Sequence, residues 1–440
     1  MVISRANRGR RRADLAAPDL WIRLGSAQEQ AALDSYKNTY HGLVVPAHIL
    51  VWGRTWVTTL LSRLSKPFIV DPMTYIFSQN SELIEGEKEV KKSYGTLLQF
   101  YPRDFAKIVR RRPIRPTDFL GDGGNQTRLL RDFASRVVDL ELDVERSKSP
   151  SQTSLSKYQR MLGESPPPGG LEPRSVVCPY FHFTDVDDPW YEVNKALVRE
   201  TLRTKTRPKA EAVIATTSSG IKTAEWDRIR RDFRGVAGFV LWVSAESEAK
   251  RGEEELRALK IAAKALSVGG LQVHLMYGGY YSLCLGAVGA TRVTSGLGYG
   301  ESKVVTSKPT GGGFPARYYL DLLKLQIGVT EVRAFLSDQP SLLCDCPICA
   351  EVRQLAGIKP GGKPTTRQLE EFFNHLDDDA LKGHFLHSRH RELQTIGRSS
   401  LVKLVNQLEN LYESSARLKV GDYGLSSKHL ETWAKALKPS

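Results

Sequence analysis

Seven short runs of β-branched and apolar residues, separated by helical stretches, constrain the fold of this chain more than any other feature. They are Leu43 to Trp52, Pro67 to Phe77, Ser175 to Phe183, Glu211 to Ser218, Ala237 to Ser244, Leu271 to Gly279 and Thr291 to Gly298. Most are apolar almost without interruption, as strands buried on both faces of a parallel sheet are. Between the later runs lie "YEVNKALVRETLR" and "GEEELRALKIAAKAL", helical in period and of crossover length. With an eighth unit near "ARYYLDLL", the pattern predicts an α/β chain closed as a (β/α)8 TIM-like barrel. A doubly wound open sheet is the alternative, because strand count does not decide closure.

Around this repeat the chain divides into a basic N-terminal segment (1–40), the barrel (41–337) and a C-terminal helical region (338–440). A Ser/Pro/Gly-rich stretch at about 138–174 reads as a mobile insertion, and Gly357 to Gln368 as a second loop. Beyond it "SSLVKLVNQLENLYESSARL" has the spacing of an amphipathic helix. The longest apolar run is too short to span a bilayer, and no apolar segment follows the basic start as a secretory signal would require. The expected setting is therefore cytoplasmic, with no membrane partner.

The formal charge is +14, and the basic residues cluster. Arg5, Arg8, Arg10, Arg11 and Arg12 stand at the start, and "KIVRRRPIRP" runs from Lys107 to Pro116. Such clusters form an electrostatic footprint for phosphate backbones, although a solvated basic face is the plainer reading.

Three of the five cysteines, Cys344, Cys346 and Cys349, fall within six residues. An odd count with one tight group does not make a disulfide framework; it points to a reducing compartment and a metal site. Thiolates at C-x-C-x2-C spacing converge on one ion and need a fourth ligand to complete a tetrahedral zinc site. His375, His384, His387 and His390 are the candidates. With all four positions filled by protein, the zinc would be structural, and its binding energy would count as folding energy.

A barrel followed by this cysteine phrase resembles the tRNA-guanine transglycosylase superfamily, whose members exchange a guanine for a 7-deazaguanine. The family's zinc histidine opens a His-Asn-Leu phrase closed by a Glu-apolar pair. "HFLHSRHREL" places His384 first, Leu386 third and Glu392-Leu393 last. The resemblance therefore selects His384, with His387 second. It also covers "FIVDPMTYIFS", where Asp71 falls at the family's general acid/base position. A carboxylate at the C-terminal end of a barrel strand suits that role, while Asp before Pro is also a common turn cap.

In "FHFTDVDDPW" the resemblance implies a base-reading carboxylate, first Asp185 and then Asp187; the competing reading is a helix cap before "WYEVNKAL". Thr216, Thr217, Ser244 and Glu246 fall where the family lines its base pocket. Met276 to Gly279 matches the family's Met-Gly-Val-Gly-like segment, so the resemblance makes Gly278 and Gly279 substrate-binding, with Ser295; the glycines of "GLGYGES" would permit close backbone approach to a ligand or a tight turn. Thr294 or Ser295 stands where the family has its nucleophilic Asp, and a hydroxyl there needs its own base. Glu301, or one of Asp185 to Asp188, is then the candidate second carboxylate, and Asp185 is grouped with Asp71 as catalytic.

The departure at the nucleophile and the basic clusters favour the branch that inserts 7-deazaguanines into phage or bacterial DNA (DpdA-like). The expectation is thus a pentosyltransferase that replaces guanine in DNA, using a preQ0-type base and a structural Zn2+. The alternatives are a tRNA-modifying relative, a non-catalytic nucleic-acid-binding subunit, or a base-excising hydrolase. A homo-oligomer and a partner subunit are both compatible with these readings.

Overall fold

The computed structural model describes residues 17–79, 92–121, 123–146, 171–218, 221–298, 301–306, 316–359 and 362–439. The N-terminal arginine cluster and residues 147–170 of the Ser/Pro/Gly-rich stretch lie outside the described residues.

Eight strands run in one parallel sheet: β1 (Asp19–Arg23), β2 (Gly42–Pro46), β3 (Phe68–Asp71), β4 (Val176–Val177), β5 (Ala210–Thr217), β6 (Gly238–Ser244), β7 (Gln272–Leu275) and β8 (Arg292–Gly296). Their order is β3-β2-β1-β8-β7-β6-β5-β4, so the two end strands face each other. The Arg174 N–H donates to the Phe68 carbonyl at 2.8 Å across that seam. Just past the strand ends the Thr74 hydroxyl accepts from the Tyr180 N–H at 2.8 Å and donates to the Tyr180 carbonyl at 2.5 Å. The sheet is a nearly closed barrel, and the doubly wound alternative falls away.

The eighth strand is not where the apolar runs placed it. "DLWIR" supplies β1 from within the 1–40 segment, and it sits between β2 and β8 in the ring. "ARYYLDLL" instead gives β9 (Arg317–Leu320), paired antiparallel with β10 (Leu325–Gly328) in a separate hairpin. Several strands are also shorter than their apolar runs, because proline lacks the ladder N–H. The 43–52 run ends its strand at Pro46 and turns into a helix, Ala47–Trp52. Pro72 and Pro179 likewise follow shortly after β3 and β4.

The start of the expected loop at 138 is helical. The helix Gly124–Arg146 buries Leu130, Phe133, Ala134, Val137, Glu141 and Val144, a stripe with helical spacing that faces the barrel. On the same face Glu141 accepts from the Val177 N–H at 2.8 Å and so supports the short β4. The C-terminal region is helical. Its last helix, Lys428–Leu437, packs on the barrel helix Glu253–Leu266, with Lys260 Nζ donating to the Lys438 carbonyl at 2.8 Å. Among the described residues no helix is long and apolar enough to cross a membrane.

Candidate functional site

The C-terminal ends of the barrel strands hold a polar cluster walled by aromatic rings. β1 ends in Arg23, β3 ends in Asp71 and β6 presents Trp242. The segments after β2, β3, β4, β7 and β8 add His48, Tyr75, Tyr180, Tyr277 and Lys303. Asp71 is only 1% exposed. Its Oδ1 accepts from the Tyr180 hydroxyl at 2.9 Å and from the Met73 N–H at 3.1 Å. Its Oδ2 is buried and accepts no hydrogen bond from any described residue. Because a buried acceptor without a donor is costly, this oxygen is a place for a ligand N–H.

The rings lie in mutual contact. Tyr75 stacks on Tyr180 at 5.6 Å and meets Trp242 at 4.6 Å, and Trp242 meets Tyr277 at 5.6 Å. The Arg23 guanidinium lies 5.4 Å from the Tyr277 ring centre. Met73 (φ 51°) and Tyr277 (φ 57°) both adopt the left-handed backbone region at the tips of their turns. Such residues cost on the order of 1–3 kcal/mol each and persist where the surroundings over-determine them, as at ligand sites.

The charges are tuned by burial. Burial opposes the Arg23 charge, but Tyr277 and Asp71 beside it hold its pKa above the usual value. Burial, reinforced by Arg23 and Lys303, pulls His48 down to about 3, so its imidazole is neutral at physiological pH. Burial and then Arg23 lower Lys303 to about 7, with Asp71 acting in the opposite direction.

The other expected site residues fall into two groups. Asp185 and Asp187 do not join the Asp71 cluster. Both are exposed: Asp185 accepts from the Asp187 N–H at 2.9 Å, and Asp187 pairs with Arg228 at 3.4 Å. Asp188 caps the helix Pro189–Arg203 through the Trp190 N–H, so this acidic turn is a helix start. Thr216 and Ser244 end β5 and β6, with Thr216 Oγ1 weakly bonded to the Thr184 carbonyl and Ser244 Oγ accepting from the Val305 N–H at 2.8 Å. Glu246, farther along, is exposed and pairs with Lys250.

Gly278, Gly279 and Ser295 form a buried wall beside β8. A Cβ on Gly278 would lie 2.6 Å from the Ser282 Cβ and 2.7 Å from the Val293 Cγ1, so the close approach there is between protein segments. A Cβ on Gly279 would lie 2.8 Å from a Glu248 oxygen. The Ser295 hydroxyl donates to the Gly278 carbonyl at 2.5 Å, and Thr294 bonds His274. Ser295 has no general base beside it; Thr294 meets the neutral imidazole of His274, but both side chains are fully buried. Glu248 is buried on the N–H groups of Tyr281 and Ser282.

Far along the chain, Cys344, Cys346, Cys349 and His384 bring their ligand atoms within 4.8 Å of one another, a group able to hold a metal ion. His384 Nδ1 faces Cys346 Sγ at 3.5 Å and Cys349 Sγ at 3.4 Å. Its Nε2 lies 2.8 Å from the Tyr319 carbonyl, which fixes the tautomer and leaves Nδ1 free to ligate. Tyr318 stacks on the imidazole at 4.2 Å, and Arg391 donates to Cys344 Sγ at 3.2 Å. The spacing C-x-C-x2-C puts the last thiol on the first turn of the helix Pro347–Leu355, whose Cys349 N–H donates to Cys346 Sγ. The other histidines point elsewhere: His387 packs on Tyr36, His390 bonds Gln394, and His375 is exposed.

One helix, Asp378–Ile396, carries both this ligand and a buried ion network that reaches the barrel. Arg389 donates to Glu301, to Glu392 at 2.8 Å and to the Tyr319 hydroxyl at 3.0 Å. Lys324 lies 3.3 Å from Glu392. Burial opposes the Arg389 charge, but Glu301, Tyr319 and Glu392 outweigh it and its pKa is raised. Burial raises the Glu301 pKa, with Arg389 opposing. Glu301 is thus committed to Arg389 and is no free second carboxylate. Arg389→Met should cost about 3–5 kcal/mol in denaturant unfolding at neutral pH, because Glu301 loses its partner and Glu392 keeps only Lys324. The loss should shrink as acid neutralises Glu301, whose pKa burial raises.

No protein-family model, curated protein or solved structure matches this chain.

Asp71 and the metal ligands were legible in the sequence, whereas Arg23, His48, Tyr75, Tyr180, Tyr277 and Lys303 were missed. Arg23 carried a signal: it closes the run Leu20-Trp21-Ile22, so a cation stands where a buried strand ends.

Proposed function

We propose that this chain is a nucleic-acid base-exchange enzyme of the guanine transglycosylase type, with DNA as the favoured substrate, 7-deazaguanine as the incoming base and a structural zinc in the Cys3His site. The observation that carries the reading is Asp71 itself. Its unpaired Oδ2 at a barrel mouth, among stacked tyrosines and a tryptophan, suits a flat heterocycle that donates an N–H. The rings would take the stacking faces of an extruded base, while the carboxylate moves the proton at the glycosidic nitrogen. Three thiols and an imidazole form a soft, fully protein-supplied tetrahedral set, which favours zinc in a structural role. The zinc would hold the helix Asp378–Ile396, and through Arg389 and Glu301 the wall of the mouth.

Lys107, Arg110, Arg111 and Arg115 are exposed beside Ile114, whose N–H donates to the Phe77 carbonyl at 2.9 Å. That bond ties the basic turn to the segment carrying Tyr75, on the mouth side of the barrel, where it can track phosphates. Replacing Lys107, Arg110 and Arg111 with Gln should weaken DNA binding and flatten its salt dependence, by roughly 0.9 in log–log slope for each phosphate no longer neutralised.

The direct test supplies guanine-labelled DNA, then tRNA, with a 7-deazaguanine at low salt. Release of label with incorporation of the new base supports the reading; absence of release from both substrates ends it. The buried, locally bonded Ser295 favours a second reading, a non-catalytic subunit that presents nucleic acid to a partner. Tight nucleic-acid binding without release, unchanged in Asp71→Asn, would select it.

A further inference from the structure

The base-exchange reading leaves the sugar without an attacking group. Among the described carboxylates near the mouth, Glu301 is held by Arg389 and Glu248 by the Tyr281 and Ser282 backbone, while Asp71 is placed to act on the base. Ser295 donates to a carbonyl. Lys303 is different. It follows β8 on a segment held against the end of β6: the Ala245 N–H and the Trp242 indole N–H both donate to its carbonyl, at 3.3 and 3.2 Å. Its Nζ lies 5.6 Å from the Tyr75 ring centre and 5.8 Å from that of Tyr277, the same rings that wall Asp71. The residue is partly buried, and its amine stands among the rings that wall the mouth.

Resting on that reading, we propose that Lys303 is the nucleophile that attacks the sugar C1′ and carries the nucleic acid as a covalent imine. The amine lone pair forms the Nζ–C1′ bond, and the electrons of the C1′–N9 bond leave with guanine, which takes its proton from Asp71. The nitrogen then sheds a proton as the C1′–O4′ bond opens. Its electron pair goes to O4′, which is protonated, and C1′=Nζ forms. Ring closure by O4′ reverses this step. The incoming base, deprotonated by Asp71, displaces the lysine amine. No oxidant or reductant is needed.

Amine catalysis requires a neutral nitrogen near pH 7, which a desolvated lysine beside another cation provides. The groups facing Lys303 are Arg23 from β1, His48 after β2, Asp71 and Tyr75 from β3 and its turn, and Tyr277 after β7. His48 is neutral, Arg23 stays charged, and burial raises the pKa values of Tyr75 and Tyr277. Cation–π contact with the two rings favours the ammonium, but burial and Arg23 prevail and set the lysine near 7.

The test treats the full chain and guanine-labelled DNA or tRNA with sodium borohydride, which reduces an imine to a stable secondary amine. The expected result is a covalent protein–nucleic-acid adduct mapping to Lys303. It should be lost in Lys303→Arg, which keeps the charge, and in Lys303→Ala, with thermal melting confirming that at least one variant is folded. Label release by the wild type should rise with pH through about 7. Release without an adduct, an adduct on another residue, or full release by folded Lys303→Arg would overturn the proposal while leaving base exchange standing. No release by the wild type overturns both.

Discussion

Cys349→Ser should lose stoichiometric metal and with it the folded C-terminal region. Cys349 is fully buried, its thiol sits 3.4 Å from the His384 ring nitrogen, and Tyr318 packs against both. A structural zinc contributes folding free energy outright, of order 10 kcal/mol in small zinc domains. Since whole domains have only about 5–15 kcal/mol in hand, even a fraction of that is decisive. The expected result is metal content well below one per chain and a large fall in melting temperature. Limited proteolysis should cut between β10 and the helix Asp378–Ile396. A chelator should reproduce these effects on the wild type, and added zinc should reverse them. His387→Ala, by contrast, should leave metal content unchanged, because that ring packs on Tyr36. A Cys349→Ser protein that melts like the wild type would remove zinc from the account of stability.

How much of this was legible depended on whether a feature is local. The cysteine phrase was legible because a metal needs ligands at short spacing, which the helix Pro347–Leu355 delivers without help from the rest of the fold. Spacing alone left four histidines open, and it was the resemblance that selected His384; what holds that ring in place is the Tyr319 carbonyl and the Tyr318 ring, on a hairpin some 65 residues upstream in chain order. The barrel was legible because parallel strands are apolar on both faces. β1 escaped because "DLWIR" begins and ends with charge: Asp19 opens the strand and Arg23 closes it at the mouth.

Asp185 was misleading for the opposite reason. Three acids before Pro-Trp satisfy the local chemistry of a helix N-terminus, and there that chemistry prevails. The tyrosine walls could not be read at all. Tyr75, Tyr180 and Tyr277 come from turns far apart in the chain and converge only when the ring of strands closes.

Asp71→Asn should reduce base exchange by about 10²–10⁴-fold while leaving the fold intact. The substitution is nearly isosteric, and the amide oxygen can still accept from the Tyr180 hydroxyl and the Met73 N–H, so the turn after β3 keeps its geometry. What changes is the outer position. Oδ2, which accepts from no described residue, becomes an NH2 that donates and cannot carry a proton to or from a base. Arg23 would also lose one of the groups that sustain its charge, so a modest loss of affinity for an anionic substrate should accompany the rate effect. Tyr180→Phe separates the two contributions. It removes one donor to Oδ1 but keeps the carboxylate and the ring stack on Tyr75, and should therefore slow exchange far less than Asp71→Asn. If both variants instead lose activity equally while melting like the wild type, the tyrosine moves the proton and Asp71 orients it.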